Sequence, residues 1–121
     1  MPVLQKIKNS YSTWYKYFQI LPKPHRYTLG QKIDNLFVEI IEAVAIASFL
    51  SKEEKQLWIK LAIRKLETLK ILLMVLWENN SIEDKKYIIL STPLDEIGKM
   101  LGGWNGQLTK QNSPAMKAEE K

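Results

Sequence analysis

Apolar side chains recur at helical spacing from the start of this 121-residue chain to about position 104. No strand-like alternation of apolar and polar residues persists along the sequence. Because residues three or four positions apart share one face of an α-helix, this spacing predicts a chain built from amphipathic helices. A chain of this length has room for one hydrophobic core, so we expect a single all-α bundle domain.

Four apolar stripes predict four helices, at about residues 4–18, 26–50, 52–78 and 82–104. Pro22 and Pro24 end the first, since each lacks a backbone donor and restricts the residue before it. The Ser51-Lys52-Glu53-Glu54 run is a capping box that starts the third, and Ser81 offers a cap for the fourth. At about 1.5 Å per residue, the four predicted helices have comparable lengths. With short connections they predict an antiparallel up-down-up-down four-helix bundle.

Pro93 lies inside the fourth predicted helix. The helix either kinks there or breaks and restarts with Thr92 as its N-cap. The apolar register passes through Pro93 unchanged, which favours a kink. Gly102-Gly103 is typical of a helix end. We therefore expect the bundle to occupy residues 1–104, and residues 105–121, which lack an apolar stripe, to form a disordered tail.

Several classes of function are disfavoured by the composition. The chain has no cysteine, so disulfides, thiolate metal sites and a cysteine nucleophile are excluded. Its one histidine, His25, has no partner in a metal, triad or ribonuclease motif, and no phosphate-binding loop is present. No apolar run is long enough to span a bilayer, and the N-terminus does not resemble a signal peptide. We expect a cytoplasmic, non-enzymatic protein with no catalytic residues, metal, cofactor or membrane partner.

The positive charge is concentrated in particular segments, although the net charge is only +5. The corner at residues 21–33 carries Lys23, His25, Arg26 and Lys32 with no acidic residue. Such a corner suggests a surface that binds an anion. The simpler alternative is a solvated, charged face that only promotes solubility.

The third helix carries a second basic group. Lys60 and Arg64 are i, i+4 neighbours, with Lys65 and Lys70 close by in sequence. Together with the corner and with the lysines at the start of this helix, Lys52 and Lys55, they predict a surface that tracks nucleic-acid phosphates. Contacts of this kind give affinity without sequence reading and weaken with added salt. The alternative is that Glu67 pairs locally with Arg64 or Lys70, which leaves a solvated face.

The segment Ile71–Trp77 is apolar on all sides, whereas a helix in a monomeric bundle needs only one apolar face. In so small a protein, the extra apolar face is expected to contact another subunit. We predict that Met74 and Trp77 lie at this oligomer interface.

Three motifs in order resemble one known family: Pro22-Lys23-x-x-Arg26-Tyr27-x-Leu29-Gly30-x-Lys32-Ile33, then Lys65-Leu66-Glu67-x-Leu69-Lys70-x-Leu72-Leu73, then Leu94-Asp95-Glu96-Ile97-Gly98-Lys99-Met100-Leu101-Gly102-Gly103-Trp104. The family is that of Avd, the accessory variability determinant of diversity-generating retroelements. It also includes proteins encoded by intervening sequences in large-subunit ribosomal RNA genes. The resemblance implies a homopentameric ring of four-helix bundles, and Lys23, Arg26, Lys65 and Lys70 match basic positions of the family.

By this resemblance, we expect an accessory protein that binds a reverse transcriptase and RNA or an RNA/DNA hybrid, and so supports mutagenic retrohoming. The six residues expected to bind nucleic acid are Lys23, Arg26, Lys60, Arg64, Lys65 and Lys70. The chain departs from the family at Met74 and Lys70, where many relatives carry arginine. These departures favour the alternative, a structural homo-oligomer of the ribosomal intervening-sequence type with no nucleic-acid role.

Overall fold

The computed structural model describes residues 2–113. They form four long helices: α1 (Pro2–Phe18), α2 (Gln31–Ala47), α3 (Lys52–Glu78) and α4 (Asp84–Gln111). A helical turn, Lys23–His25, and a π-helical turn, Arg26–Gly30, lead directly into α2. No strand occurs in this part of the chain, so the predicted all-α class is confirmed for it.

The four helices surround one core. Each helix packs on the one before it in the chain, and α1 also packs on α4, as in a four-helix bundle. Trp14 of α1 is fully buried, and its ring stacks on Phe18 at 5.5 Å and on Phe37 of α2 at 6.1 Å. Burying a large apolar side chain stabilises a fold by roughly 1.5–3 kcal/mol. These rings therefore contribute much of the free energy that holds α1 against α2. Within the described residues, no helix combines the length and apolar composition that a membrane span requires.

Helix α3 begins where the sequence predicts. Ser51 is its N-cap residue in extended conformation. The Ser51 hydroxyl lies 3.4 Å from Glu54 Oε2 and makes no capping bond to the backbone, so the predicted capping box is only partly formed. At the other end, Asn80 adopts a left-handed conformation with φ of 61°, and the Ser81 amide donates to the Leu76 carbonyl. This pattern is a Schellman motif, which supplies a partner to a carbonyl in the last turn.

The prediction of Ser81 as an N-cap is wrong. Helix α4 begins at Asp84 after the N-cap residue Glu83. The Ser81 side chain is instead hydrogen-bonded to His25 Nδ1, which joins the connection between α3 and α4 to the turn that precedes α2. The basic corner therefore lies at the end of the bundle where α3 ends.

The predicted end of α4 at Gly102-Gly103 is also wrong, because the helix continues to Gln111. Leu108 is buried with 2% of its surface exposed, and burial of this residue favours continuation of the helix. The Gln56 amide of α3 also donates to Asn105 at 3.2 Å and to Thr109 at 2.7 Å. The prediction of a disordered tail is therefore wrong for residues 105–111. Residues 114–121 of the predicted tail lie outside the described residues.

Pro93 lies within α4, which is helical on both sides of it. A break with a new N-cap at Thr92 is therefore not present. The buried residues Leu90, Leu94 and Ile97 keep one face of the helix on the core across the proline. Burial of this face offsets the cost of the backbone bond that proline removes.

Candidate functional site

Two of the six cations predicted to bind nucleic acid are neutralised by carboxylates. Lys65 Nζ lies 2.8 Å from Glu39 Oε2 of α2, and Lys70 Nζ lies 2.7 Å from Asp95 Oδ1 of α4. Five residues turn a helix by about 140°, so the two lysines point to different neighbouring helices. The expectation that these charges are unneutralised on one face is wrong.

Lys23 and Arg26 lie far from the basic residues in the first half of α3. Their corner contacts Ser81 through the neighbouring His25, beyond the end of α3. Arg64 precedes the last residue of α3 by 14 positions, or about 20 Å along the helix axis. The single surface of six cations predicted from the sequence is therefore not formed.

Arg26 is also directed inward. Its Nη2 donates to the carbonyl of Leu21 at 2.9 Å, and its Nε is buried without a hydrogen-bond partner in the described part of the chain. Leu21 itself is buried. Arg26 therefore stabilises the corner, whereas Lys23 is exposed to solvent.

Lys60 and Arg64 keep the arrangement that the sequence predicts. Both side chains are exposed, and neither has an ion pair within residues 2–113. As i, i+4 neighbours they project from the same face of α3, separated by about one helical turn. Two unbalanced positive charges at this spacing attract a polyanion, and the attraction weakens with salt.

These two cations flank a shallow groove on the outer surface of α3. The groove has a volume of about 310 Å³ and is lined by Leu57, Trp58, Lys60, Leu61 and Arg64. Leu57 is 71% exposed and Leu61 is 36% exposed. The site therefore places two cations beside two exposed leucines. We call it the α3 groove, and we call Lys60 and Arg64 its rim and Leu57 and Leu61 its apolar floor.

The apolar half of the α3 groove was not predicted from the sequence. Leu57 and Leu61 are four residues apart, so they share a face, and that face lies outside the buried stripe of Ile59, Ala62 and Leu66. Their spacing beside Lys60 and Arg64 is visible in the sequence, and it is the signal that would have identified the groove.

The lysines at the start of α3, Lys52 and Lys55, do not line the α3 groove. Lys55 Nζ lies 5.7 Å from the centre of the Trp104 ring of α4, a distance at which a cation is attracted to an aromatic face. Lys55 is therefore held towards α4, while Lys52 is exposed at the first residue of the helix.

The two predicted interface residues have different environments. Met74 is 39% exposed, and its neighbour Ile71 is 56% exposed, so the apolar segment does present a face to solvent. Trp77 is half-buried, stacks on Tyr87 at 4.7 Å, and donates its indole N–H to Asp84 at 2.7 Å. Trp77 thus packs α3 against α4, whereas Met74 keeps the exposure that an interface role requires.

The comparisons with known proteins point to one family. The family model described as bAvd-like matches residues 1–108. This match covers all four helices except the last residues of α4. No curated protein sequence matches the chain.

Proposed function

The chain belongs to the bAvd-like family, and from this membership we propose that it is an accessory protein of a diversity-generating retroelement. In this proposal it acts in the cytoplasm without catalysing a reaction. It binds the reverse transcriptase of the element and RNA or an RNA/DNA hybrid, and so supports mutagenic retrohoming.

The observation that carries the nucleic-acid part of this proposal is the Lys60–Arg64 pair. These cations are exposed, lie one helical turn apart and have no carboxylate partner in the described residues. Lys65 and Lys70 have such partners and add less net positive field. Lys23 supplies a separate positive charge at the other end of α3.

We also propose that the subunit is an up-down-up-down bundle and that it assembles into a homo-oligomeric ring. Short connections favour antiparallel neighbours. The bond from Gln56 near the start of α3 to Thr109 near the end of α4 supports this direction. Exposed apolar side chains on α3, Ile71 and Met74 among them, support self-association, since contiguous apolar surface is unfavourable in water.

Reversing the charges of Lys60 and Arg64 tests nucleic-acid binding. Anisotropy of a labelled structured RNA should show that Lys60→Glu/Arg64→Glu binds at least about 10-fold more weakly than the unmodified protein at low salt. The matched control is Lys8→Glu/Lys16→Glu, which makes the same change of net charge at two exposed lysines of α1. Equal weakening by both variants would show a general charge effect, and unchanged binding by the α3 variant would contradict the proposal.

Assembly requires a separate test. Light scattering should give a mass several times that of the 14.1 kDa subunit. Met74→Glu should reduce that mass because it places a charge in the proposed interface. Met100→Glu is the matched control, since Met100 of α4 has a similar exposure of 37%. A monomeric unmodified protein would rule out the ring.

A second candidate function is a structural oligomer of the ribosomal intervening-sequence type with no nucleic-acid role. The ion pairs of Lys65 and Lys70 favour it, because they remove two of the six predicted phosphate contacts. The genes next to this one distinguish the two candidates. A reverse transcriptase gene with template and variable repeats supports the first, and a position within a ribosomal RNA gene supports the second.

A further inference from the structure

We propose that the α3 groove binds an unpaired nucleic-acid strand in preference to a duplex. This inference rests on the proposed function, because it assumes that the Lys60–Arg64 pair contacts nucleic acid. It narrows the proposed ligands to their unpaired segments, since an RNA/DNA hybrid is itself a duplex and the positive charge alone does not distinguish the two forms.

Lys60 and Arg64 line the same groove as Leu57 and Leu61. The occupant of the groove must therefore present negative charge to the rim and apolar surface to the floor at the same time. Charge complementarity at the rim selects a polyanion, because neither cation has an ion pair within the described part of the chain.

The two forms of nucleic acid present different surfaces to this groove. In a duplex the bases are stacked and paired inside, and the outer surface is formed by phosphates and sugars. A duplex would contact Lys60 and Arg64 but leave Leu57, which is 71% exposed, in water. In an unpaired strand, the bases are free to turn outward and stack on aromatic, apolar and guanidinium surfaces.

The chemistry of the groove walls also favours an unpaired strand. Trp58 is half-buried, and part of its side chain packs against the core, so the wall that it forms is held in place. The Arg64 guanidinium adds a planar cation on which a base stacks. An unpaired strand thus places phosphates at the rim and base faces on Leu57 and Leu61, and neither contact depends on base identity.

Binding of one oligonucleotide in two forms tests this inference. A labelled strand of about 12 nucleotides, within the usual range of single-strand site sizes, is compared with the same strand annealed to its complement. Anisotropy at fixed salt should show that the unpaired strand binds about 10-fold more tightly or better. Equal affinities would overturn the inference while leaving nucleic-acid binding in place. Absence of binding to both forms would overturn the inference and the proposed function together.

Removal of the apolar floor gives the second readout. Leu57→Ser/Leu61→Ser keeps both cations and should remove most of the preference for the unpaired strand over the duplex. The variant should bind the unpaired strand more weakly, while its affinity for the duplex should change less than about twofold. Leu57→Ser alone, at the more exposed position, repeats the test with less risk to folding. Ile88→Ser/Ile89→Ser is the control, since it removes two exposed apolar side chains of α4.

The competing occupant of the groove is a second copy of this chain. If Leu57→Ser/Leu61→Ser lowers the mass of the assembly in light scattering and leaves the affinity for the unpaired strand unchanged, the groove is a subunit contact and the inference is wrong. If the mass is unchanged and the preference for the unpaired strand disappears, the inference is supported.

Discussion

The ammonium group of Lys65 lies 2.8 Å from the carboxylate of Glu39, in an ion pair that joins α3 to α2. Both side chains are partly exposed, so the pair contributes only about 0.2–1 kcal/mol to stability. Its larger effect is electrostatic, because the Glu39 charge cancels much of the field that Lys65 presents to an approaching anion. Lys65 and Lys60, which has no ion pair within residues 2–113, are therefore unequal, although they are only five residues apart.

Neutralising these two lysines separately should give different results. Lys60→Gln should weaken binding of RNA roughly 3- to 10-fold, because it removes a proposed phosphate contact made by a cation that no carboxylate within residues 2–113 neutralises. Lys65→Gln should weaken binding less, by about twofold, because the Lys65 ammonium is engaged by Glu39 and is not free to contact a phosphate directly. Fluorescence anisotropy at one low salt concentration measures both. A larger loss for Lys65→Gln than for Lys60→Gln would contradict this assignment.

Two glycine-to-alanine substitutions should have opposite effects on stability. A Cβ atom on Gly30 would lie 2.9 Å from Leu21 Cδ1 and 3.1 Å from Phe18 Cε1, so Gly30→Ala should destabilise by about 1–3 kcal/mol. Gly103 lies within α4, and a Cβ there meets nothing within 4 Å. Gly103→Ala should therefore stabilise by about 0.5–1 kcal/mol, since alanine loses less conformational freedom in a helix. Urea unfolding measures both, and a stabilising Gly30→Ala would refute the close packing of the corner.

The stability of the fold should depend on Tyr11 at alkaline pH. Burial, followed by a hydrogen bond to Asp34 and the negative charge of Asp34, raises the pKa of Tyr11 from 10 to about 12. Because the folded state holds the phenolic proton more tightly, this contribution is fully present below pH 10 and is lost as the pH rises towards 12. Urea unfolding across this range should show a smaller alkaline loss for Tyr11→Phe than for the unmodified protein.

The control for this measurement is Tyr27→Phe, which removes a hydroxyl from a ring that is 69% exposed. It should retain the alkaline loss seen in the unmodified protein. If Tyr11→Phe loses stability between pH 10 and 12 as much as the unmodified protein does, the proposed contact with Asp34 does not control this pH dependence.

The helices were predictable because their signal is local. Residues three or four positions apart, such as Leu69 and Leu73, share a face whatever the rest of the chain does, and both are buried. The end of α4 was not predictable from Gly102-Gly103, because the contacts that extend the helix come from elsewhere. The bonds between Gln56 and residues about 50 positions later are not encoded in the local sequence.

The candidate site was only partly predictable for the same reason. The i, i+4 spacing of Lys60 and Arg64 is a local property, and their exposure on one face follows from it. The pairing of Lys65 with Glu39 depends on how α2 packs on α3, and the position of the basic corner depends on the contact between His25 and Ser81. Neither relationship can be derived from sequence spacing alone.

The salt dependence of binding shows whether Lys60 and Arg64 contact phosphates. For an unpaired strand, the logarithm of the binding constant falls with the logarithm of salt concentration, with a slope of about −0.7 for each phosphate contact. Lys60→Gln/Arg64→Gln removes two proposed contacts, so its slope should be less steep than that of the unmodified protein by about 1.4. Identical slopes for the two proteins would show that Lys60 and Arg64 do not contact phosphates, and would contradict the account.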